Sequence, residues 1–141
     1  MYSILHSFHI NAPVSEVYES LSTVNGLQNW WTRDVRGNTD VDGTLEFRFG
    51  THGFIKVRIA NYKPGKEVHW ICTDAHPEWI NTTISFTLVE SEGKTKVRFK
   101  HEGWKEATDF YASCNFSWGR YLESLRNFCE TGRGNPFTVS N

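Results

Sequence analysis

The sequence has little cysteine, no excess of either charge and no long apolar run. Its three cysteines, Cys72, Cys114 and Cys129, are widely spaced among apolar residues, which favours buried reduced thiols over a disulfide framework. Fifteen Lys and Arg against sixteen Asp and Glu give a formal net charge of −1, so no basic excess favours nucleic acid. No stretch approaches the roughly 18 apolar residues of a membrane span, and the alternating N-terminus does not resemble a signal peptide. We therefore expect a cytoplasmic protein without a nucleic-acid partner or a membrane span.

Motifs for metal binding and nucleophilic catalysis are also missing. His6 and His9 lie three positions apart on a predicted strand, so they point to opposite faces and cannot easily share an ion. The same spacing separates His69 from Cys72. No HExxH or CxxC pair, GxSxG elbow or glycine-rich phosphate loop occurs. These absences predict no metal and no cofactor, and they favour a protein that is not an enzyme.

Aromatic residues, by contrast, are abundant at 15%, and many of them fall in the segment 107–131. Large residues recur there at steps of three and four, which is the period of one apolar helix face. They are Phe110, Cys114, Trp118, Tyr121, Leu122, Leu125 and Phe128. Thr108 or Asp109 can cap the start of this helix, and Gly132 can end it. The apolar stripe either packs on a sheet or lines a cavity, and both can hold at opposite ends.

The rest of the chain predicts one strand, two short helices and then a series of strands. Residues 2–10 alternate as a strand does, and Pro13 suits the first position of a helix that ends near Asn25-Gly26. Residues 27–31 repeat helical spacing, whereas residues 33–43 give only a weak signal. From Leu45 to Lys100, five runs alternate with a period of two and are separated by turns that contain glycine or proline. Such runs form an antiparallel meander with one buried face.

These elements predict an α+β helix-grip fold. A sheet with one apolar face must be covered, and the C-terminal helix is the only predicted element long enough to cover it. We therefore predict a strongly curved antiparallel sheet of about six to seven strands wrapped around a long C-terminal helix, with two short helices after the first strand. The prediction is a single domain over residues 1–132, followed by a polar tail over residues 133–141. A straight helix does not seal perfectly against a curved sheet, so a cavity between them is expected.

Several short segments resemble the SRPBCC superfamily. They are Ile10-Asn11-Ala12-Pro13, Val17-Tyr18-Glu19-Ser20-Leu21, Trp30-Trp31, His101-Glu102-Gly103-Trp104, and Ser117-Trp118 followed by Tyr121-Leu122-Glu123-Ser124-Leu125. This superfamily has the helix-grip fold of START lipid-transfer domains, birch-pollen-allergen-like proteins and aromatase/cyclase domains. The chain is most similar to the subfamily named after activators of the Hsp90 ATPase. It departs from the family pattern at Gly43, where many members have a glycine pair, and at Ser117, where many have a glycine.

The resemblance implies non-catalytic binding of a small hydrophobic or aromatic molecule in the cavity between sheet and helix. It also implies two alternatives, a co-chaperone-like partner of a heat-shock ATPase and a polyketide cyclase/dehydratase-type enzyme, and it is compatible with a role in stress response. The chain is expected to be a monomer or homodimer, with a possible protein partner.

Strand parity and helix spacing identify the residues expected to bind the ligand. They are Trp31, Phe47, Phe49, Ile55, Val57, Trp70, Phe86, Phe99, His101, Trp104, Phe110, Cys114 and Trp118. His101 shares the parity of Val97 and Phe99, so it is expected to point inward near the rim as a polar anchor. It is also the acid or base on which the cyclase alternative depends.

Overall fold

A computed structural model describes residues 1–139. The chain forms β1 (Tyr2–Ile10), α1 (Val14–Ser22), α2 (Val24–Gln28), β2 (Asp34–Gly37), β3 (Thr44–Arg48), β4 (Phe54–Lys63), β5 (Glu67–Asp74), β6 (Thr83–Ser91), β7 (Lys94–Trp104) and α3 (Asp109–Thr131). A single 3-10 turn, Gly50–His52, joins β3 to β4. The predicted order of strand, two short helices, strands and long helix is confirmed.

The seven strands form one curved antiparallel sheet in the order β1-β7-β6-β5-β4-β3-β2. Inward-facing residues of every strand join one hydrophobic core with α3, so the predicted helix-grip fold is confirmed. β2 was not predicted, because its four residues, Asp34–Gly37, alternate too briefly to show a period. No helix within residues 1–139 is long and apolar enough to cross a membrane.

The ends and the buried face of α3 follow the sequence pattern closely. The Thr108 hydroxyl accepts the backbone N–H of Tyr111 at 3.2 Å, which caps the first turn. Gly132 ends the helix in the left-handed conformation, at φ 82°, which glycine adopts without steric cost. The buried stripe includes Trp118, whereas Phe116, which the helical spacing does not place on that stripe, is 70% exposed. The long helix therefore buries an apolar face that is aromatic at Trp118 and aliphatic at Leu122 and Leu125.

The contact between α1 and α2 depends on a glycine. A Cβ atom added at Gly26 would lie 2.6 Å from both the Glu19 carbonyl oxygen and the Ser20 Cα. These are backbone atoms that cannot move without shifting α1. We expect Gly26→Ala to lower the free energy of unfolding by about 1–3 kcal/mol, as overpacking does. Urea unfolding followed by circular dichroism measures this change.

Gly119 in the middle of α3 provides the matched control for that substitution. A Cβ atom there would meet the nearest atom, His6 Cε1, at 3.8 Å, which is ordinary van der Waals contact. Gly119→Ala should therefore stabilise the protein by up to about 1 kcal/mol, because alanine has the higher helix propensity. Equal destabilisation by both substitutions would show that close packing at Gly26 is not the cause.

Candidate ligand-binding cavity

A cavity of about 690 Å³ opens between α3, the β3–β4 turn and the β5–β6 connection. Its wall is mostly aromatic and apolar. The lining residues are Trp31, Phe49, His52, Gly53, Phe54, Ile55, Ala75, His76, Trp79, Phe110, Cys114, Ser117, Trp118, Arg120, Tyr121 and Phe137. The residues of the mouth, among them His52, Phe54, His76 and Arg120, are exposed, so the cavity is open to solvent.

Three tryptophans form the floor of the cavity. The Trp118 ring lies 5.0 Å from Trp31 and 6.0 Å from Trp79, measured between ring centroids, and it is nearly parallel to Trp79. All three side chains are at least 93% buried, so their rings are held in place by the core. Such planes offer a flat aromatic ligand offset stacking in addition to apolar contact.

His101 lies beneath this floor and not at the rim. Its ring is fully buried, and the Trp118 indole N–H donates to its Nδ1 at 3.1 Å. The ring proton therefore sits on Nε2, which donates to the Thr82 hydroxyl at 2.8 Å. Thr82 in turn donates to the Trp79 carbonyl oxygen at 2.5 Å. His101 thus holds Trp118 through a side-chain bond and the backbone of Trp79 through Thr82.

The same burial keeps the His101 ring neutral. Desolvation lowers its pKa from 6.5 to about 3, because the charged imidazolium would lose its hydration in the core. Both ring nitrogens already have partners within the protein, so neither can reach a molecule in the cavity. His101 is therefore a structural support of the cavity floor.

The predicted site residues fall into two layers. Those in the wall of the cavity are Trp31, Phe49, Ile55, Phe110, Cys114 and Trp118. Those behind the wall, at most 1% exposed, are Phe47, Val57, Trp70, Phe86, Phe99, His101 and Trp104. The second layer packs against the first, as when Phe47 lies 4.3 Å from Trp31 between ring centroids. Strand parity thus identified the correct face of the sheet but not the depth of each residue.

Several lining residues were not among the predicted ligand-binding residues. Those in turns and connections, where no period exists, are His52, Gly53, Ala75, His76, Trp79 and Phe137. Phe54 begins β4, and Ser117, Arg120 and Tyr121 lie on α3, where Tyr121 belongs to the predicted apolar stripe. Only Trp79 and Phe137 could have indicated these loops as part of the site, because each is a large aromatic residue in a turn or tail that is mostly polar. The Phe137 N–H donates to the Trp31 carbonyl oxygen at 2.8 Å, and this hydrogen bond holds Phe137 beside the cavity floor. Part of the predicted tail 133–141 therefore contributes to the cavity, and residues 140–141 lie outside the described residues.

Polar groups of the inner wall and of the mouth are already engaged within the protein. The Trp79 indole N–H donates to Cys114 Sγ at 3.3 Å, and burial raises the pKa of that thiol, so it stays protonated. His76 stacks on Phe110 with ring centroids 3.8 Å apart, and its Nδ1 accepts the Glu78 N–H at 3.1 Å. Within residues 1–139, no three His, Cys, Asp or Glu side chains form a group that could hold a metal ion. This part of the wall therefore provides a ligand mainly with apolar contact.

A curved sheet closed around a long C-terminal helix, with a cavity between them, defines a helix-grip domain of the SRPBCC type. A family model described as activator of Hsp90 ATPase homolog 1-like protein matches residues 11–130, so the chain belongs to this family. None of the curated proteins matches it.

Solved structures support this assignment. The Aha1 protein of Colwellia psychrerythraea, determined in solution as a dimer, is 38% identical with a TM-score of 0.87, over 95% of this chain and 100% of that one. CalU16 from Micromonospora echinospora is 17% identical with a TM-score of 0.76, over 89% and 73% of the two chains. DynU16, a protein of the dynemicin biosynthetic locus, is 16% identical with a TM-score of 0.77, over 94% and 48%. The last two likenesses show the fold alone.

Proposed function

We propose that this protein binds a small hydrophobic or aromatic molecule in the cavity and does not transform it. The observation that carries the proposal is the open cavity of about 690 Å³ with a floor of three fixed tryptophan rings. A mostly apolar concave wall with a few polar groups is what small-molecule sites have in common. The cysteines are free thiols, which supports the proposal that the protein works in the reducing cytoplasm.

Apolar contact alone gives such a ligand only weak affinity. A molecule that buries about 300 Å² of apolar surface gains roughly 7–8 kcal/mol. Association costs at least about 4 kcal/mol of this in lost translational and rotational freedom. The remainder corresponds to a dissociation constant that is roughly millimolar. Tighter binding therefore requires additional contacts or polar groups at the mouth.

Tryptophan fluorescence tests the proposal. Three of the six tryptophans line the cavity, so a bound molecule should change their emission. We expect a saturable change on titration with one class among fatty acids, sterols, flavonoids and aromatic polyketides. No saturable change with any class would contradict the proposal.

A filled cavity provides the control for this titration. Ser117 lines the cavity and Ser113, one turn earlier on α3, is exposed outside it. Ser117→Phe should abolish the saturable change because the new ring occupies the ligand's space. Ser113→Phe adds the same ring to the same helix and should leave the titration unaltered. Equal binding by both variants would place the ligand elsewhere.

The placement of His101 gives the cyclase alternative little support. A general acid or base must reach the substrate directly or through one water molecule. Both nitrogens of His101 are bonded to Thr82 and Trp118, and the ring is fully buried. Tyr111, at the start of α3, donates its hydroxyl to the Ser3 carbonyl oxygen at 2.6 Å, so this hydroxyl is engaged as well. Binding without catalysis is therefore the function we propose.

A protein partner remains the second candidate, because the family takes its description from an activator of the Hsp90 ATPase. The exposed Phe116 on the outer face of α3 is the kind of aromatic that anchors interfaces. Co-purification with the cognate chaperone and a change in its ATP turnover are the expected results. Neither effect would be seen if the protein acts only on small molecules.

A further inference from the structure

The charge of the cavity wall comes from Arg120. Glu78 is not a lining residue, and its carboxylate accepts the Thr108 hydroxyl at the start of α3. Arg120 lines the cavity twelve positions beyond Thr108, about 18 Å along the helix axis at 1.5 Å per residue. Within the part of the chain that the structure describes, Arg120 is the one residue of the wall with a full charge, because the lining includes no Lys, Asp or Glu. The Arg120 end is therefore positive.

Arg120 and its neighbour Tyr121 have no partners that would satisfy them. Glu123, the carboxylate one turn further along α3, pairs instead with Arg126. Within residues 1–139, Arg120 makes no ion pair and the Tyr121 hydroxyl makes no hydrogen bond. Burial raises the pKa of Tyr121, so its hydroxyl keeps its proton. Two hydrogen-bond donors on consecutive residues of α3, one of them charged, thus line the cavity without an acceptor among the described residues.

An aromatic path connects this donor pair to the floor. Tyr121 lies 6.4 Å from Phe49, and Phe49 lies 6.0 Å from Trp31, between ring centroids. A ligand lying on Trp31 and Trp118 would therefore have one end on the floor and the other near Tyr121. Guanidinium and hydroxyl donors suit a carboxylate, which accepts hydrogen bonds only.

We propose that the ligand is an amphipathic acid whose apolar body lies on the tryptophan floor and whose carboxylate is bound by Arg120 and Tyr121. This inference rests on the proposed function and adds the chemical class of the ligand. A guanidinium favours a negatively charged partner, so the preference is for the ionised acid over any neutral analogue of the same shape.

Matched acids and methyl esters test this preference. Calorimetric titrations at pH 7 would use 2-naphthoic acid, pyrenebutyric acid and dodecanoic acid, each with its own methyl ester. We expect at least one acid to bind about fivefold more tightly than its ester, which is the scale of an exposed ion pair. Arg120→Gln should remove this preference and leave the affinity for the ester unchanged. Tyr121→Phe should reduce it in part.

Arg126→Gln is the matched control, since it removes one exposed positive charge from the same helix outside the cavity. It should keep the preference for the acid. Esters that bind as well as their acids would overturn the carboxylate proposal while leaving the proposed function intact. The carboxylate proposal is also overturned if Arg126→Gln weakens acid binding as much as Arg120→Gln does. If neither acids nor esters bind, the carboxylate proposal fails, and the proposed function fails with it only if the fluorescence titration also shows no saturable change with any class.

Discussion

We expect the free energy of unfolding to fall by about 4–5 kcal/mol between pH 6.5 and pH 3 through His101 alone. Burial lowers the pKa of this ring from 6.5 in an unfolded chain to about 3. Below pH 6.5 the unfolded chain therefore binds a proton that the folded chain cannot accept until about pH 3. Each pH unit in this window costs about 1.36 kcal/mol. The contribution of His101 to stability is complete above about pH 6.5 and is lost as the pH falls to about 3.

Comparison with His101→Gln isolates this effect. Glutamine keeps a donor and an acceptor at the position but does not titrate, and every other ionisable group is common to both proteins. Urea unfolding at a series of pH values should give a difference between wild type and variant that changes by several kcal/mol across the window. Parallel pH profiles would show that His101 does not carry the dependence.

A second measurement covers the case in which His101→Gln does not fold. An unperturbed imidazole is mostly protonated at pH 5, since its pKa is about 6.5. In the folded wild-type protein, the ring resonances of His101 should still be those of the neutral Nε2–H tautomer at that pH. A charged His101 ring in the folded state at pH 5 would contradict the hydrogen-bond arrangement with Trp118 and Thr82.

The parts of the fold that could be predicted are those in which a period persists over several turns or strands. The stripe of α3 and the alternation of β4 to β7 identify their buried faces because each face repeats many times. β2 could not be predicted, since four residues are too few to establish a period. The strand exists because its residues complete the edge of the sheet against β3, which is a tertiary contact.

The site could be predicted less fully for a related reason. Parity places His101 and Phe99 on the inner face of β7, as the structure has them. Whether an inward side chain meets the cavity or the core depends on where α3 crosses the curved sheet, and no local pattern encodes that crossing. Phe137 could not be predicted for a second reason. It reaches the cavity through backbone hydrogen bonds with Trp31 and Arg33, which are distant in the sequence.

Trp118→Ala should lower the free energy of unfolding by about 3–5 kcal/mol, the usual cost of removing a buried aromatic side chain. The ring is 2% exposed and lies 4.5 Å from Phe99 and 5.0 Å from Trp31 between centroids. Its removal also leaves Nδ1 of His101 without its donor, which adds the cost of an unsatisfied buried group. Urea unfolding followed by circular dichroism measures the loss.

Phe116→Ala is the matched control, because Phe116 is an aromatic residue two positions away on the same helix and is 70% exposed. It should change stability by no more than about 0.5 kcal/mol. Trp118→Phe keeps most of the apolar ring and lacks only the N–H, so it should cost less than Trp118→Ala. If Trp118→Ala were no worse than Phe116→Ala, the ring would not be a packed part of the core. The tryptophan floor would then not be the rigid platform that the binding proposal requires.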